Sequence, residues 1–275
     1  MHQLTLARLS PLALALAVIV SGGGAAAATS PAVVSVLYAG SLVTPMEGPV
    51  KNALHDRGID LQGEPGGSKA LANLIAAGVR SPDVFVYVDP KLVIGFRDKV
   101  ATAVPFASTT LGIAWAPGSR QDALFERVAA GSVPLERALA TPGLRIGRTD
   151  PQLDPKGFFT VAATTAWLGA QRERTILGAD NNPEQIFPEQ DLLARVDTGQ
   201  ADVGFFYRTE AVARGYHFIQ LPGETRFSNG ITYVLAIMKG AKHPSEAKAF
   251  ADFILTGPGR EILERAGLDY LPQGK

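Results

Sequence analysis

Short, apolar, β-prone runs alternate along this chain with stretches in which apolar residues recur every three or four positions. Val33-Val34-Ser35-Val36-Leu37-Tyr38 is the first such run; Gly40-Ser41 follows, and Leu42, Met46, Val50 and Leu54 then keep helical spacing. This predicts a strand, a tight turn and a helix. The unit recurs, since Ile59-Asp60-Leu61 leads through Gly63 to Gly66-Gly67-Ser68, and Leu71, Leu74 and Ile75 mark a second helix ending at Gly78. Asp83-Val84-Phe85-Val86-Tyr87-Val88 supplies the third strand. Alternation of this kind predicts an α/β fold with a mainly parallel sheet, because parallel neighbours need a crossover long enough to hold a helix.

A strand at 109–116 opens a second α/β block. It contains the strand-like Leu144-Arg145-Ile146-Gly147, helices near 157–169 and 189–198, and the strand Val203-Gly204-Phe205-Phe206-Tyr207, and it closes around Ile219-Gln220-Leu221-Pro222. The β-prone run 231–237 and two helices at 244–255 and 258–266 complete the chain, and we place these last helices back on the first block. The expectation is two lobes, each a mixed, mainly parallel sheet flanked by helices: residues 29–108 plus 228–275 in lobe 1 and 109–227 in lobe 2. Crossings near 107–112 and 223–231 would form a hinge suited to closure around a ligand.

Residues 1–28 alter the picture of location. Arg8 precedes an apolar stretch from Leu12 to Val20, and small residues ending at Ala28 follow, which reads as a secretory signal peptide cleaved near Ala28. The apolar stretch is too short to span a bilayer. No Cys stands near the cut, so the mature chain of about 247 residues is expected to be free in the periplasm and not lipid-anchored. Zero Cys removes disulfides, thiolate metal sites and Cys nucleophiles, and the histidines at 2, 55, 217 and 243 share no ligand spacing, so no cofactor and no free metal cation is expected. Lys plus Arg and Asp plus Glu balance at 26 each without a basic run, which argues against nucleic acid as a partner.

The candidate chemistry lies at helix starts. Four predicted helices begin at Ser41, at Ser68, at the Pro155-Lys156-Gly157 corner and at Glu189 after Pro188. Each start leaves backbone N–H groups unpaired, and with the helix dipole these favour an anion. Hydroxyls at Ser41, Ser68 and the strand-end Tyr207 add directional donors. Each of these residues alone is ordinary: Ser caps helices and Gly-Gly-Ser makes turns. Together they predict a dry cage of neutral donors at the carboxyl ends of the strands.

Several motifs, in order, resemble the periplasmic molybdate- and tungstate-binding proteins: Leu37-Tyr38-Ala39-Gly40-Ser41-Leu42, Gly66-Gly67-Ser68, Ser81-Pro82-Asp83-Val84-Phe85, the run from Asp150 to Gly157, the run from Phe205 to Ala213, and the tail from Ala247 to Gly259. The resemblance spans the mature chain. It implies the two-lobed periplasmic binding protein fold, a monomer, and delivery of the anion to an ABC transporter permease and its ATPase. It also implies that the hydroxyls and amides of Ser41 and Ser68, the amides of Lys156 and Glu189 and the hydroxyl of Tyr207 hold the oxyanion, with Gly40, Gly67 and Asp154 as additional contacts. Relatives that place two carboxylates on the metal match this chain at Asp154, but Phe206 stands where their Glu would be. A tetrahedral anion held by hydrogen bonds is therefore favoured, with Asp154 forming the turn before Pro155.

Other cargoes, namely sulfate, phosphate or ferric iron, suit the same fold, and so does a sensory role. A secreted serine hydrolase is the rival from another class. Ser245-Glu246-Ala247-Lys248 gives a formal Ser-x-x-Lys, but its companion motifs and a Gly-x-Ser-x-Gly elbow are absent, and Ser245 opens a helix after Pro244. No enzyme activity is expected.

Overall fold

The computed structural model describes residues 32–222 and 231–272; the expected leader at 1–28 and nearly all of the second expected crossing lie outside the described residues. β1 (Ala32–Ala39) is an inner strand of a six-stranded sheet, between β2 (Ile59–Gly66) and β3 (Val84–Val88), and is parallel to both. Covered on both faces, β3 is buried at every position, which is why it reads as an unbroken apolar run. Between β1 and β2 the chain coils without a break through a 3-10 turn (Gly40–Leu42), α1 (Val43–Pro45), a wide π turn (Met46–Val50) and α2 (Lys51–His55). Leu42, Met46, Val50 and Leu54 all face the core, as their spacing predicts. Pro49 has no N–H to donate and its ring crowds the carbonyl four residues back, which accounts for the widened turn at that point. α3 (Ser68–Ala76) follows β2 and packs Leu71 and Ile75 beside the stacked rings of Phe85 and Tyr87, whose centroids are 4.8 Å apart.

The chain then forms β4 (Val100–Ser108) in the larger sheet, and β5 (Leu111–Trp115), α4 (Asp122–Ala129), α5 (Leu135–Leu139), β6 (Ile146–Gly147), α6 (Pro155–Leu168), α7 (Ala170–Leu177), α8 (Glu189–Asp197), β7 (Val203–Tyr207), α9 (Arg208–Arg214) and β8 (His217–Gln220). β5 to β8 make a four-stranded sheet in the order β6-β7-β5-β8. The last segment returns to the larger sheet with β9 (Thr232–Met238), α10 (Pro244–Leu255), α11 (Pro258–Arg265) and β10 (Asp269–Tyr270), giving it the order β10-β4-β9-β3-β1-β2. One apolar cluster runs from Val34 and Val86 of the larger sheet to Ile113 and Phe205 of the smaller.

The mixed α/β class and the helix positions agree with the sequence pattern, but the sheets are less parallel than expected. Three of the eight strand pairings are parallel and five antiparallel among the described residues. The reason lies in β4, β5 and β9, which join neighbours by passing between sheets and need no crossover helix. β4 itself is not predicted by the pattern, because its outward positions 101–103 are exposed Ala and Thr and Pro105 interrupts it. Asp83, from one of the motifs above, is structural: its carboxylate accepts from the N–H of Ser35 at 2.9 Å and of His243 at 3.0 Å, tying β1 to the residue that precedes α10.

Candidate functional site

Helix starts from both sheets meet. Ser41 lies one residue beyond Gly40 at the carboxyl end of β1, and Ser68 opens α3 at the carboxyl end of β2. A Cβ on residue 40 would overlap Glu189 Oε2, so the glycine leaves room for that carboxyl beside the end of β1. A Cβ on residue 67 would stand 3.1 Å from the Leu153 carbonyl, which also accepts the Ala70 N–H at 3.2 Å. α3 and the turn before α6 are thereby joined. Tyr207, the last residue of β7, is buried with its ring centroid 6.5 Å from that of Tyr233, and the Tyr233 hydroxyl lies 2.9 Å from Ser41 Oγ.

The donors are partly free. The starts of α3 and α8 and the turn at Gly40 carry no side-chain cap. Ser68 Oγ accepts the Val88 N–H at 3.1 Å, which leaves the serine proton available to donate. Ser41 Oγ and the Tyr233 hydroxyl share one hydrogen bond, and Tyr233 also bonds the Thr209 side chain. The Tyr207 hydroxyl is buried and has no hydrogen-bond partner among the described residues. The start of α6 differs from expectation. Asp154 is its N-cap and its Oδ1 accepts the Lys156 N–H at 2.8 Å, so the amide expected to face a ligand is already bonded; short acidic side chains are strongly favoured at this position.

The cage is also not neutral. The fully buried Lys156 Nζ donates to Glu210 Oε1 at 2.6 Å and to Glu189 Oε1 at 3.1 Å, and lies 5.3 Å from the centre of the Phe206 ring. Three buried carboxyls, Asp154, Glu189 and Glu210, thus share one ammonium. Burial opposes the charged Lys156, but Glu189, Glu210 and Asp154 outweigh it and raise its pKa. Burial raises all three carboxyls in turn, against the pull of Lys156. They are not equivalent. Glu210 has the shorter contact to Lys156 and its other oxygen accepts the Tyr207 N–H at 2.9 Å, while Asp154 accepts a backbone N–H. Glu189 has only the longer contact to Lys156, and its pKa is pushed well up, by burial first and also by the neighbouring carboxylates. Glu189 thus has the fewest compensating contacts of the three, so burial favours its protonated form, and a protonated carboxyl is a donor.

A cavity of about 260 Å³ adjoins this cluster, lined in part by Gly67, Asp154, Pro188 and Glu189. A larger hollow of about 330 Å³ between α5 and α7 is lined by none of the candidate residues. Glu210 and Tyr233 were not singled out from sequence. Glu210 had a legible signal, its position three residues after Tyr207 at a helix start. Tyr233 had none, because it lies inside an apolar strand.

Residues 34–269 match the family model described as bacterial extracellular solute-binding protein. The chain belongs to this family. The solute-binding protein is 33% identical over 201 residues to a Haloferax volcanii protein whose own assignment as an ABC-transporter molybdenum-binding protein is provisional; the match covers 71% of this chain and 62% of that relative, less than two thirds of its length. It is 27% identical over 211 residues to the molybdate-binding protein ModA of Mycobacterium tuberculosis, covering 73% of this chain and 70% of ModA. Among solved structures, the periplasmic molybdate-binding protein of Azotobacter vinelandii shares the fold with a TM-score of 0.66 at 19% identity, over 87% of this chain and all of that one, 100%. The fold is thus the one seen in that molybdate-binding protein, and the family is one of solute-binding proteins.

Proposed function

We propose that this solute-binding protein captures a tetrahedral oxyanion, molybdate or tungstate, in the periplasm and hands it to an ABC importer. The observation that carries the proposal is the Tyr207 hydroxyl, buried without a partner among the described residues, in a cluster with three helix starts that carry no side-chain cap. A buried donor left unpaired costs about 1–3 kcal/mol, and an anion at this point would recover that cost. Relatives named for molybdenum or molybdate support the choice of cargo. On this reading Ser41, Ser68 and Tyr207 donate hydroxyls, the amides at Ser41, Ser68 and Glu189 face the anion, and protonated Glu189 donates where an ionised carboxylate would repel. Asp154 fixes the Lys156 backbone and does not itself touch the metal. The two sheets act as the cores of lobes spanning 29–108 plus 228–275 and 109–227, closing on the ligand by a hinge.

Mass action requires a native-state ligand to raise the melting temperature. Molybdate and tungstate at micromolar concentration are expected to raise that of the purified mature chain by several degrees, and sulfate at the same concentration to leave it unchanged. A shift with sulfate and none with molybdate would reassign the cargo.

A further inference from the structure

Asp122 and Glu126 stand one turn apart on α4 and so share a face of that helix. His217 opens β8, the edge strand of the smaller sheet, and pairs in register with Trp115 of β5. Its imidazole lies on the Trp115 indole with ring centroids 5.3 Å apart. The same indole N–H donates to Asp122 Oδ1 at 2.8 Å, and the Gly118 N–H donates to Oδ2 at 2.7 Å. These two donors fix the Asp122 carboxyl in direction. His217 Nε2 is 3.4 Å from Glu126 Oε1 and 3.9 Å from Asp122 Oδ1, and one ligand atom from each of the three residues falls within 4.8 Å of the others.

We propose that Asp122, Glu126 and His217 form a site for a divalent transition metal of the zinc class, clamping α4 to the edge strand β8. Two bonds of about 2.1 Å meeting at the tetrahedral angle separate their ligand atoms by about 3.4 Å, which is the spacing found between His217 and Glu126. The wider spacing to Asp122 closes with a small rotation, which the half-exposed His217 and Glu126 side chains are free to make. Trp115 and Gly118 supply what ligand carboxylates need, donors that orient them from behind. Among the described residues neither Asp122 nor Glu126 has a lysine or arginine as ion-pair partner, so no cation of the chain competes for them. An imidazole with two carboxylates selects zinc, copper or nickel over magnesium and calcium, and water completes the coordination. The expectation of no free metal cation rested on the lack of Cys and on histidine spacing, neither of which registers one histidine meeting two carboxylates of a helix remote in sequence.

The test is calorimetric titration of the chelator-stripped mature chain with zinc chloride, and with magnesium chloride in parallel. We expect one equivalent of zinc with micromolar affinity, no magnesium heat, and at least about tenfold weaker zinc binding in both His217→Ala and Glu126→Gln, while His55→Ala binds as the wild type does. Cobalt(II) gives a second readout: its visible absorption bands should appear with the wild type and fade in His217→Ala. Glu126 is exposed, so its variant keeps the test valid if His217→Ala fails to fold. No zinc heat, or one equivalent that both variants retain unchanged, would reduce the cluster to an ordinary surface ion pair and overturn the proposal.

Discussion

Glu189 is the residue whose protonation matters most for an anion site. Its carboxyl lies against Gly40, next to one ammonium already closer to Glu210. Burial lifts its pKa in the folded chain, so the folded state binds this proton more tightly than the unfolded state does. Stability from this source is complete below the ordinary glutamate range and is lost as pH rises through the raised folded value. Oxyanion affinity follows the same direction, since ionised Glu189 would oppose a dianion. Replacing the carboxyl by an amide that cannot ionise removes both effects. Glu189→Gln is therefore expected to melt with a weaker dependence on pH above the ordinary glutamate range, and to hold molybdate better than the wild type as pH rises. Parallel pH slopes for the two proteins, in melting temperature and in calorimetric affinity, would show that Glu189 does not carry the proton. None of this was visible in the sequence, where Glu189 reads as the first residue of a helix. Its carboxyl packs against Gly40, which follows a strand of the other sheet.

At the scale of elements, the helix starts are positioned by close backbone approaches that only small residues permit. α6 is the clearest case. A Cβ on Gly157 would stand 2.5 Å from the Thr149 carbonyl oxygen and 2.6 Å from the Asp150 carbonyl carbon, both backbone atoms that cannot swing aside. Gly157→Ala should therefore cost about 1–3 kcal/mol of stability, read as a lower urea midpoint with an unchanged slope. A variant as stable as the wild type would mean that the turn at 149–154 yields easily and does not fix α6. Most elements were legible because their apolar period is strong: α3, α6, α8, α10 and β3 stand within a few residues of their predicted places. Elements that were missed, such as β4 and α9, have mixed or exposed faces and owe their form to neighbours. β4 is held by β9 on one side and β10 on the other, and α9 is started by Glu210 accepting the Tyr207 N–H.

For the whole molecule, the described residues form two sheets, and an apolar cluster runs through both. The order of motifs along the chain gave the family resemblance, and the match over residues 34–269 agrees with it. Which donors are free could not be read that way, because it depends on pairings across long sequence separations: Ser41 with Tyr233, Ser68 with Val88, and Lys156 with Glu189 and Glu210. Those pairings converted an expected cage of neutral donors into one built around a shared ammonium, and they leave the Tyr207 hydroxyl beside it without a partner among the described residues. The decisive measurement is calorimetric titration of molybdate into the wild type and into Tyr207→Phe, with the melting temperature of each unligated protein recorded beside it. Loss of one charge-assisted hydrogen bond, about 1.5–3 kcal/mol, should weaken one-to-one binding about 10- to 100-fold while the unligated melting temperature stays level or rises. Equal affinity in the two proteins, or no molybdate binding by the wild type, would contradict the account.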